Sequence, residues 1–105
     1  MATDRVGILK QMVAQDATNS FARYGLGMEY VKSGDFSQAI DEFRILLERD
    51  NNYAAAYFHG GQALEKLGRI EEARALYEKG VEATTRTGDA HTRAEIEGAL
   101  GLLPI

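Results

Sequence analysis

The pattern of residue types in this chain returns every 34 positions. Glycine, alanine and aromatic residues recur at that spacing: Gly27 with Gly61, Gly34 with Gly68, Ala39 with Ala73, and Phe43 with Tyr77. The same offset runs back towards the N-terminus, where Leu9 precedes Phe43 and Asp16 precedes Asp50. A fixed period of this length is typical of stacked supersecondary units, each too small to bury its apolar face alone. The chain is therefore predicted to be an array of repeated units.

Each unit has the periodicity of α-helices. In the best-defined segment the apolar residues fall at i, i+3, i+4, i+7, i+10 and i+11, namely Phe36, Ala39, Ile40, Phe43, Leu46 and Leu47. This spacing draws one stripe along a helix, and no strand-like alternation persists anywhere in the chain. The pattern predicts an all-α fold of six antiparallel helices, at about Asp4–Gln15, Ser20–Ser33, Phe36–Arg49, Ala54–Leu67, Ile70–Thr84 and Ala90–Leu102.

Two glycines lie inside predicted helices rather than at their ends. Gly27 and Gly61 each occupy a position where glycine costs about 0.5–1 kcal/mol relative to alanine. Such a cost is tolerated where a missing side chain lets a neighbouring helix approach closely. The repeat offset suggests that Ala39 and Ala73 lie opposite these glycines.

Composition restricts the class of protein. The chain has 105 residues, enough for one domain, and a formal net charge of −4 with both signs interspersed. Nucleic-acid binding is not expected, because it needs a concentrated basic surface. No apolar run reaches the roughly 18 residues of a membrane span, and residues 1–10 contain no signal-peptide stretch. The absence of cysteine excludes disulfides and thiolate sites. Cytoplasmic residence is the expectation.

The repeated residues resemble the tetratricopeptide repeat, a 34-residue helix–turn–helix unit. The first copy carries the family's pattern at Leu26, Gly27, Tyr30, Gly34, Phe36, Ala39 and Phe43, and the second at Tyr57, Gly61, Leu64, Gly68, Ile70, Ala73 and Tyr77. Arg23, Gly60, Asn51 and Thr85 depart from it. The resemblance implies a short right-handed solenoid with an N-terminal half-unit at 4–15, repeats at 20–53 and 54–87, and a C-terminal capping helix within 88–102.

In this family the first helix of each unit lines a concave groove that holds a peptide or helix of a partner. The resemblance places Phe21, Tyr24, Met28, Phe58, His59, Gln62 and Arg93 in such a groove, with Lys32 and Lys66 beside them. Some members grip the acidic tails of heat-shock chaperones with a clamp of lysine, asparagine and arginine side chains. Only Arg93 agrees among the matching places here, which are Tyr24, Met28, His59, Asp89 and Arg93, so chaperone-tail binding is disfavoured.

No residue pattern indicates catalysis or a cofactor. The two histidines, His59 and His91, belong to no spaced ligand motif, and the resemblance puts them on different sides of the first helix. The paired carboxylates, such as Glu71 and Glu72, fall on faces predicted to be solvated. We therefore expect no metal, no cofactor and no enzymatic activity.

Two functions remain open. The first is a protein-interaction module whose aromatic groove binds a partner, because exposed aromatic residues and methionine are typical of interfaces. The second is self-association into a homodimer or stack, because half-units leave the terminal helices with an open face. A third possibility affects the site itself: the chain's own N-terminal helix would cover Phe21 and Tyr24.

Overall fold

The computed structural model describes residues 4–105, and within that range it contains six α-helices and no strand. The helices are α1 (Arg5–Gln15), α2 (Ser20–Lys32), α3 (Phe36–Arg49), α4 (Ala54–Lys66), α5 (Ile70–Thr87) and α6 (Ala90–Gly101). Each helix packs against the next, and the connections have only two to four residues. Connections this short make neighbouring helices antiparallel. The predicted all-α repeat fold is confirmed, and most helix ends agree with the prediction to within one residue.

Side-chain caps and glycine turns fix where the helices begin and end. The side chains of Asp4, Asn19 and Asp89 accept hydrogen bonds from backbone N–H groups in the first turns of α1, α2 and α6. These bonds satisfy donors that a helix start leaves without partners. Three helices are followed by a glycine with φ between 73° and 78°, at Gly34, Gly68 and Gly88. Only glycine adopts this left-handed conformation at little cost, so these positions terminate helices sharply.

The two glycines inside helices admit aromatic rings of the following helix. A Cβ at Gly27 would lie 2.5 Å from Cε1 of Phe43, and a Cβ at Gly61 would lie 2.1 Å from Cε1 of Tyr77. The expected close approach is therefore present, and the nearest atoms belong to the rings. Ala39 and Ala73 are fully buried, and their place opposite the glycines stays a prediction.

Helix α5 ends three residues later than predicted, at Thr87 rather than Thr84. After α3 the sequence Asp50-Asn51-Asn52 favours a turn, whereas Thr84-Thr85-Arg86 allows the helix to continue until Gly88. The hydroxyls of Thr84 and Thr85 are satisfied by carbonyls of the preceding turn, including Val81 O. As a result α6 begins 36 residues after α4, not 34.

The burial pattern of α6 follows this longer offset. Ile96 is completely buried, and its Cδ1 atom packs against Gly80 of α5, which has no side chain to block it. The repeat offset of 34 would match Ile96 to Gln62, which is exposed, whereas an offset of 36 matches it to the buried Gly60. The last helix is therefore displaced by two residues relative to the repeat.

The helices form two layers, and the helices of one layer lie closer together than those of the other. Among the described residues, the backbones of α2, α4 and α6 lie close to one another in sequence, whereas the backbones of α1, α3 and α5 lie close only to helices of the other layer. An array whose elements are closer on one side curves towards that side. We call the face formed by α2, α4 and α6 the inner surface, and the face formed by α1, α3 and α5 the outer surface. The whole array is elongated, at 45 × 28 × 20 Å.

Candidate binding surface

An aromatic cluster lies on the inner surface between α2 and α4. The ring of Tyr24 is 5.2 Å from that of Tyr53 and 6.1 Å from that of His59, and Phe58 meets His59 edge-on at 5.2 Å. All four side chains are half-buried, so each presents part of its ring to solvent. Ring separations of 4.5–7 Å are those of favourable aromatic pairs. Three of the predicted groove residues are thus brought together.

Tyr53 belongs to this cluster although sequence reasoning missed it. It precedes α4 as its N-cap, and its equivalent in the next unit, Thr87, is not aromatic. The repeat offset therefore gave no signal for it. An aromatic residue directly before a helix that carries three further aromatic residues, Tyr57, Phe58 and His59, was the available clue.

Phe21 is the most exposed aromatic residue on this surface. It lies one turn before Tyr24 on α2, and 76% of it is accessible to solvent. The possibility that the N-terminal helix covers it was wrong, because α1 belongs to the opposite layer. Tyr24 is half-buried, and its ring pairs with those of Phe43, Tyr53 and His59. Residues 4–105 therefore leave the aromatic part of the inner surface open to solvent.

A cleft of about 220 Å³ continues the inner surface towards the C-terminal ends of α2 and α4. Its apolar walls are Val31, Phe36 and Ala63, and its polar walls are His59, Gln62, Glu65 and Lys66. Two predicted groove residues, His59 and Gln62, thus line one depression. Met28 is half-buried against the core cluster that contains Phe43, so it contributes only part of its side chain.

His59 is held towards its neutral form. Its partial burial lowers the pKa of His59 below the usual 6.5, and the carboxylate of Glu95 on α6 opposes this shift. Desolvation penalises the charged imidazolium, so near pH 7 the ring has one donor and one acceptor nitrogen. A neutral ring flanked by Tyr24 and Phe58 suits a surface that binds apolar groups.

Arg93 lies on the last helix, where the offset of 36 changes the expected neighbours. Its Nε is 3.5 Å from Oε2 of Glu97, one turn further along α6, and its side chain is about half exposed. With that offset, the place equivalent to His59 is occupied by Glu95. Glu95 is close enough to act on the pKa of His59, which agrees with a position on the inner surface. A contact between Arg93 and a partner stays a prediction.

The outer surface contains a larger cleft, of about 600 Å³, between α3 and α5. Leu47, Leu64, Leu76 and Tyr57 are among the residues that line it. The ion pair of Glu72 with Arg44 crosses one end, where Glu72 also pairs with Arg69 at the start of its own helix, and hydrogen bonds from Arg86 to Asn52 cross the other end. Its volume alone would favour this cleft as the binding site. The exposed aromatic residues, which usually dominate interface energetics, favour the inner surface instead.

Among residues 4–105 there is no group of three or more side chains placed to bind a metal ion. His59 is half-buried beside Tyr24, whereas His91 is exposed and 3.6 Å from Glu95. No helix of the described chain is long and apolar enough to cross a membrane. Cytoplasmic residence stays a prediction.

Comparison with known proteins identifies the repeated unit. The family model described as tetratricopeptide repeat matches residues 24–94, which is more than half of the chain. A TPR repeat-containing protein of Pseudomonas aeruginosa is 30% identical over 88 residues, which cover 84% of each chain. The predicted limits of the individual units, 20–53 and 54–87, stay a prediction.

Solved structures have the same arrangement of helices. A tetratricopeptide repeat domain protein from Salinibacter ruber is 32% identical, with a TM-score of 0.75 over 81% of this chain and 86% of its own. PcrH, solved in complex with the chaperone binding region of PopD, has a TM-score of 0.86 at 18% identity. That match covers 91% of this chain and 73% of PcrH. At this identity the likeness to PcrH establishes a shared fold.

Proposed function

Because this chain belongs to the tetratricopeptide repeat family, we propose that it is a protein-interaction module that holds a peptide or helix of a partner on its inner surface. The observation that carries the proposal is the aromatic cluster of Tyr24, Tyr53, Phe58 and His59, with the exposed ring of Phe21 one turn away. Aromatic side chains bury a large area at low entropic cost, so they often supply the central contacts of an interface.

The fold neighbours support a binding role. PcrH was solved with a region of PopD bound, and it shares the helical array described above. A short array whose first helices are close together leaves a continuous inner face, and Tyr24 and Phe58 stand one repeat apart on it. The proposed role is therefore binding, with no catalytic step assigned to any residue.

Selection of short random peptides against the full-length chain tests this proposal. Peptides that bind should shift the amide resonances of α2 and α4, and Phe21→Ala should weaken them at least about fivefold, as expected for loss of an aromatic contact worth more than 1 kcal/mol. Phe21 suits this test because its exposure makes a loss of folding unexpected. Ile45→Ala, on the outer surface and 37% exposed, is the matched apolar control.

Two outcomes contradict the proposal. The first is a selection that yields no peptide whose resonance shifts map to α2 and α4. The second is binding that survives Phe21→Ala together with Phe58→Ala but is lost in Ile45→Ala. Either result would move the site to the outer surface or to the ends of the array.

Self-association is the second candidate function. It is favoured by Ile8 and Met12, which lie one turn apart on α1 and are 45% and 37% exposed. At the other end of the array Leu102 is 87% exposed, but α6 presents the ion pair of Arg93 and Glu97, and Leu103 after it is buried against the chain's own core. A homodimer is expected to contact through α1. Light scattering of the free chain and of Ile8→Lys distinguishes the candidates, because a dimer that becomes monomeric in the variant supports self-association.

A further inference from the structure

His59 stands where the two parts of the inner surface meet. Its ring is 6.1 Å from that of Tyr24 and meets the ring of Phe58 edge-on at 5.2 Å, so it belongs to the aromatic cluster. It also lines the cleft of about 220 Å³, together with Gln62 and Ala63 of the same helix. A partner segment that covers both the cluster and the cleft must therefore pass over His59.

Among the residues of the cluster and the cleft, His59 is the one whose charge changes near neutral pH. An unperturbed imidazole titrates near pH 6.5, where other ordinary side chains keep one charge state. The two tyrosines of the cluster stay neutral there, since burial raises the pKa of Tyr24 and of Tyr53 above the usual 10. The charge of the aromatic cluster near neutral pH therefore depends on His59.

Glu95 of α6 is the carboxylate that acts on His59 from outside its own helix. It favours the protonated ring, but burial has the larger effect, and the pKa of His59 lies below the usual 6.5. Glu95 is also shared, because its Oε1 atom is 3.6 Å from Nε2 of His91 on α6. The free chain thus already disfavours the charged form of His59 while part of the ring is still exposed to solvent.

The other elements around His59 add no counter-ion. The cleft contains one charge of each sign, Glu65 and Lys66, both from α4, and α2 and α3 contribute the apolar side chains of Val31 and Phe36. Within the described part of the chain, no charged group of α2, α3 or α5 contributes to the pKa of His59. A partner that covers the ring therefore removes water from it, and the chain supplies no new carboxylate in exchange.

We propose that binding on the inner surface is coupled to the loss of a proton from His59, so that a partner is held near neutral pH and released on acidification. This inference rests on the proposed function and specifies its regulation. Covering the half-exposed ring removes the water that stabilises the imidazolium, so the partner binds the neutral ring more tightly. By linkage, the bound partner weakens the affinity of the ring for a proton by the same factor.

The direction of the effect follows from the same argument. Because burial already lowers the pKa of His59 in the free chain, the full affinity for the partner is present above about pH 6.5. As the pH falls through the pKa of the free chain, the ring takes up a proton that binding must displace, and the affinity decreases.

Peptides that contain no Asp, Glu or His and have blocked ends are the probe, because they do not titrate in this range. They are selected against the full-length chain at about pH 7.5, and those that shift the amide resonances of α2 and α4 are kept. NMR titration of the His59 imidazole with and without such a peptide should give a lower pKa in the complex. The dissociation constant should rise at least about threefold between about pH 7.5 and about pH 5.

Two variants separate His59 from other titrating groups. His59→Gln cannot take up a proton, so the dissociation constant of this variant should be the same at both pH values, whatever its affinity. Glu95→Gln removes the carboxylate that favours the charged ring, so the pKa of His59 in the free chain should fall further and the loss of affinity should move to lower pH. Far-UV spectra at each pH confine the comparison to conditions in which the chain is folded.

The results distinguish this inference from the function on which it rests. If the pKa of His59 is unchanged or higher in the complex, or if His59→Gln keeps the pH dependence of the wild type, the proton coupling is wrong although the inner surface binds peptides. If no selected peptide maps to α2 and α4, the proposed function itself is wrong, and the coupling fails with it.

Discussion

The ring of Tyr77 lies against the bare backbone of Gly61, so that a Cβ there would be 2.1 Å from its Cε1 atom. This contact joins α4 to α5 in the second repeat. Real Cβ atoms do not approach other atoms so closely, so any side chain at this position forces the two helices apart. Tyr77 is fully buried and its hydroxyl donates a hydrogen bond to the carboxylate of Glu65, so the ring has little freedom to move.

Gly61→Ala is therefore expected to reduce the free energy of unfolding by about 1–3 kcal/mol, the usual effect of overpacking. The matched control is Gly98→Ala, since Gly98 also lies within a helix but has no atom within 4 Å of a built Cβ. There the gain in helix propensity should raise stability by about 0.5–1 kcal/mol. Urea unfolding of both variants measures the difference. Equal effects of the two changes would show that the Tyr77 contact is not tight.

A second prediction concerns the buried arginine of α2. Arg23 is only 8% exposed and donates to Glu42 at 2.9 Å, but its Nε has no acceptor among the described residues. Tyr57 stands in the same place of the next repeat, where its hydroxyl donates to Asn51 O. Arg23→Tyr with Glu42→Gln should leave stability unchanged or raise it by about 1 kcal/mol, since apolar packing often matches a buried ion pair.

The single change Glu42→Ala is the informative contrast. It leaves the guanidinium of Arg23 buried without a counter-ion, so unfolding should become easier by about 2 kcal/mol, less than for a fully buried pair because Glu42 is partly exposed. Calorimetric melting of the three proteins provides the comparison. The interpretation fails if Glu42→Ala melts at the same temperature as the wild type while the Arg23→Tyr double variant is strongly destabilised.

The partial burial of His59 predicts that the stability of the fold depends on pH. Burial lowers its pKa in the folded chain below the unfolded value near 6.5, so the unfolded chain takes up the proton first. Its contribution to stability is therefore fully present above about pH 6.5 and is lost as the pH falls below that value. His59→Gln should flatten the decrease in stability between about pH 7 and 5. A pH profile of His59→Gln identical to that of the wild type would contradict the assignment.

Gly88 determines where α5 stops. Its φ of 75° lies in the left-handed region, and a Cβ there would meet no neighbouring atom, so backbone strain is the only obstacle to substitution. Gly88→Ala should lower the free energy of unfolding by about 1 kcal/mol, the usual penalty for that conformation. Denaturant titration of Gly88→Ala and Gly98→Ala separates the two cases, because their signs should be opposite. A stabilised Gly88→Ala would mean that α5 does not end here.

Part of the candidate surface was expected from the family resemblance read together with the repeat offset. Tyr24 and Phe58 were expected at equivalent places on one surface, and the structure finds both half-exposed beside His59. Tyr53 was not expected, because a loop residue has no fixed direction until the helices on both sides are packed. Arg93 was assigned by an offset of 34, but α6 follows one of 36.

The sequence by itself determined the local structure: six helices, glycine turns at Gly34 and Gly68, and small residues where helices approach closely. Those features depend on side-chain periodicity and backbone sterics, which act within a few residues. The tertiary structure alone decided that the rings of Phe43 and Tyr77 pack against the backbone of Gly27 and Gly61. It also decided the rotation of α6, which begins two residues later than the repeat offset places it because α5 is four residues longer than α3 and the following connection is two residues shorter. Helix rotation is settled by which side chains find space in the neighbouring helix, and the spacing of residues along the chain does not contain that information.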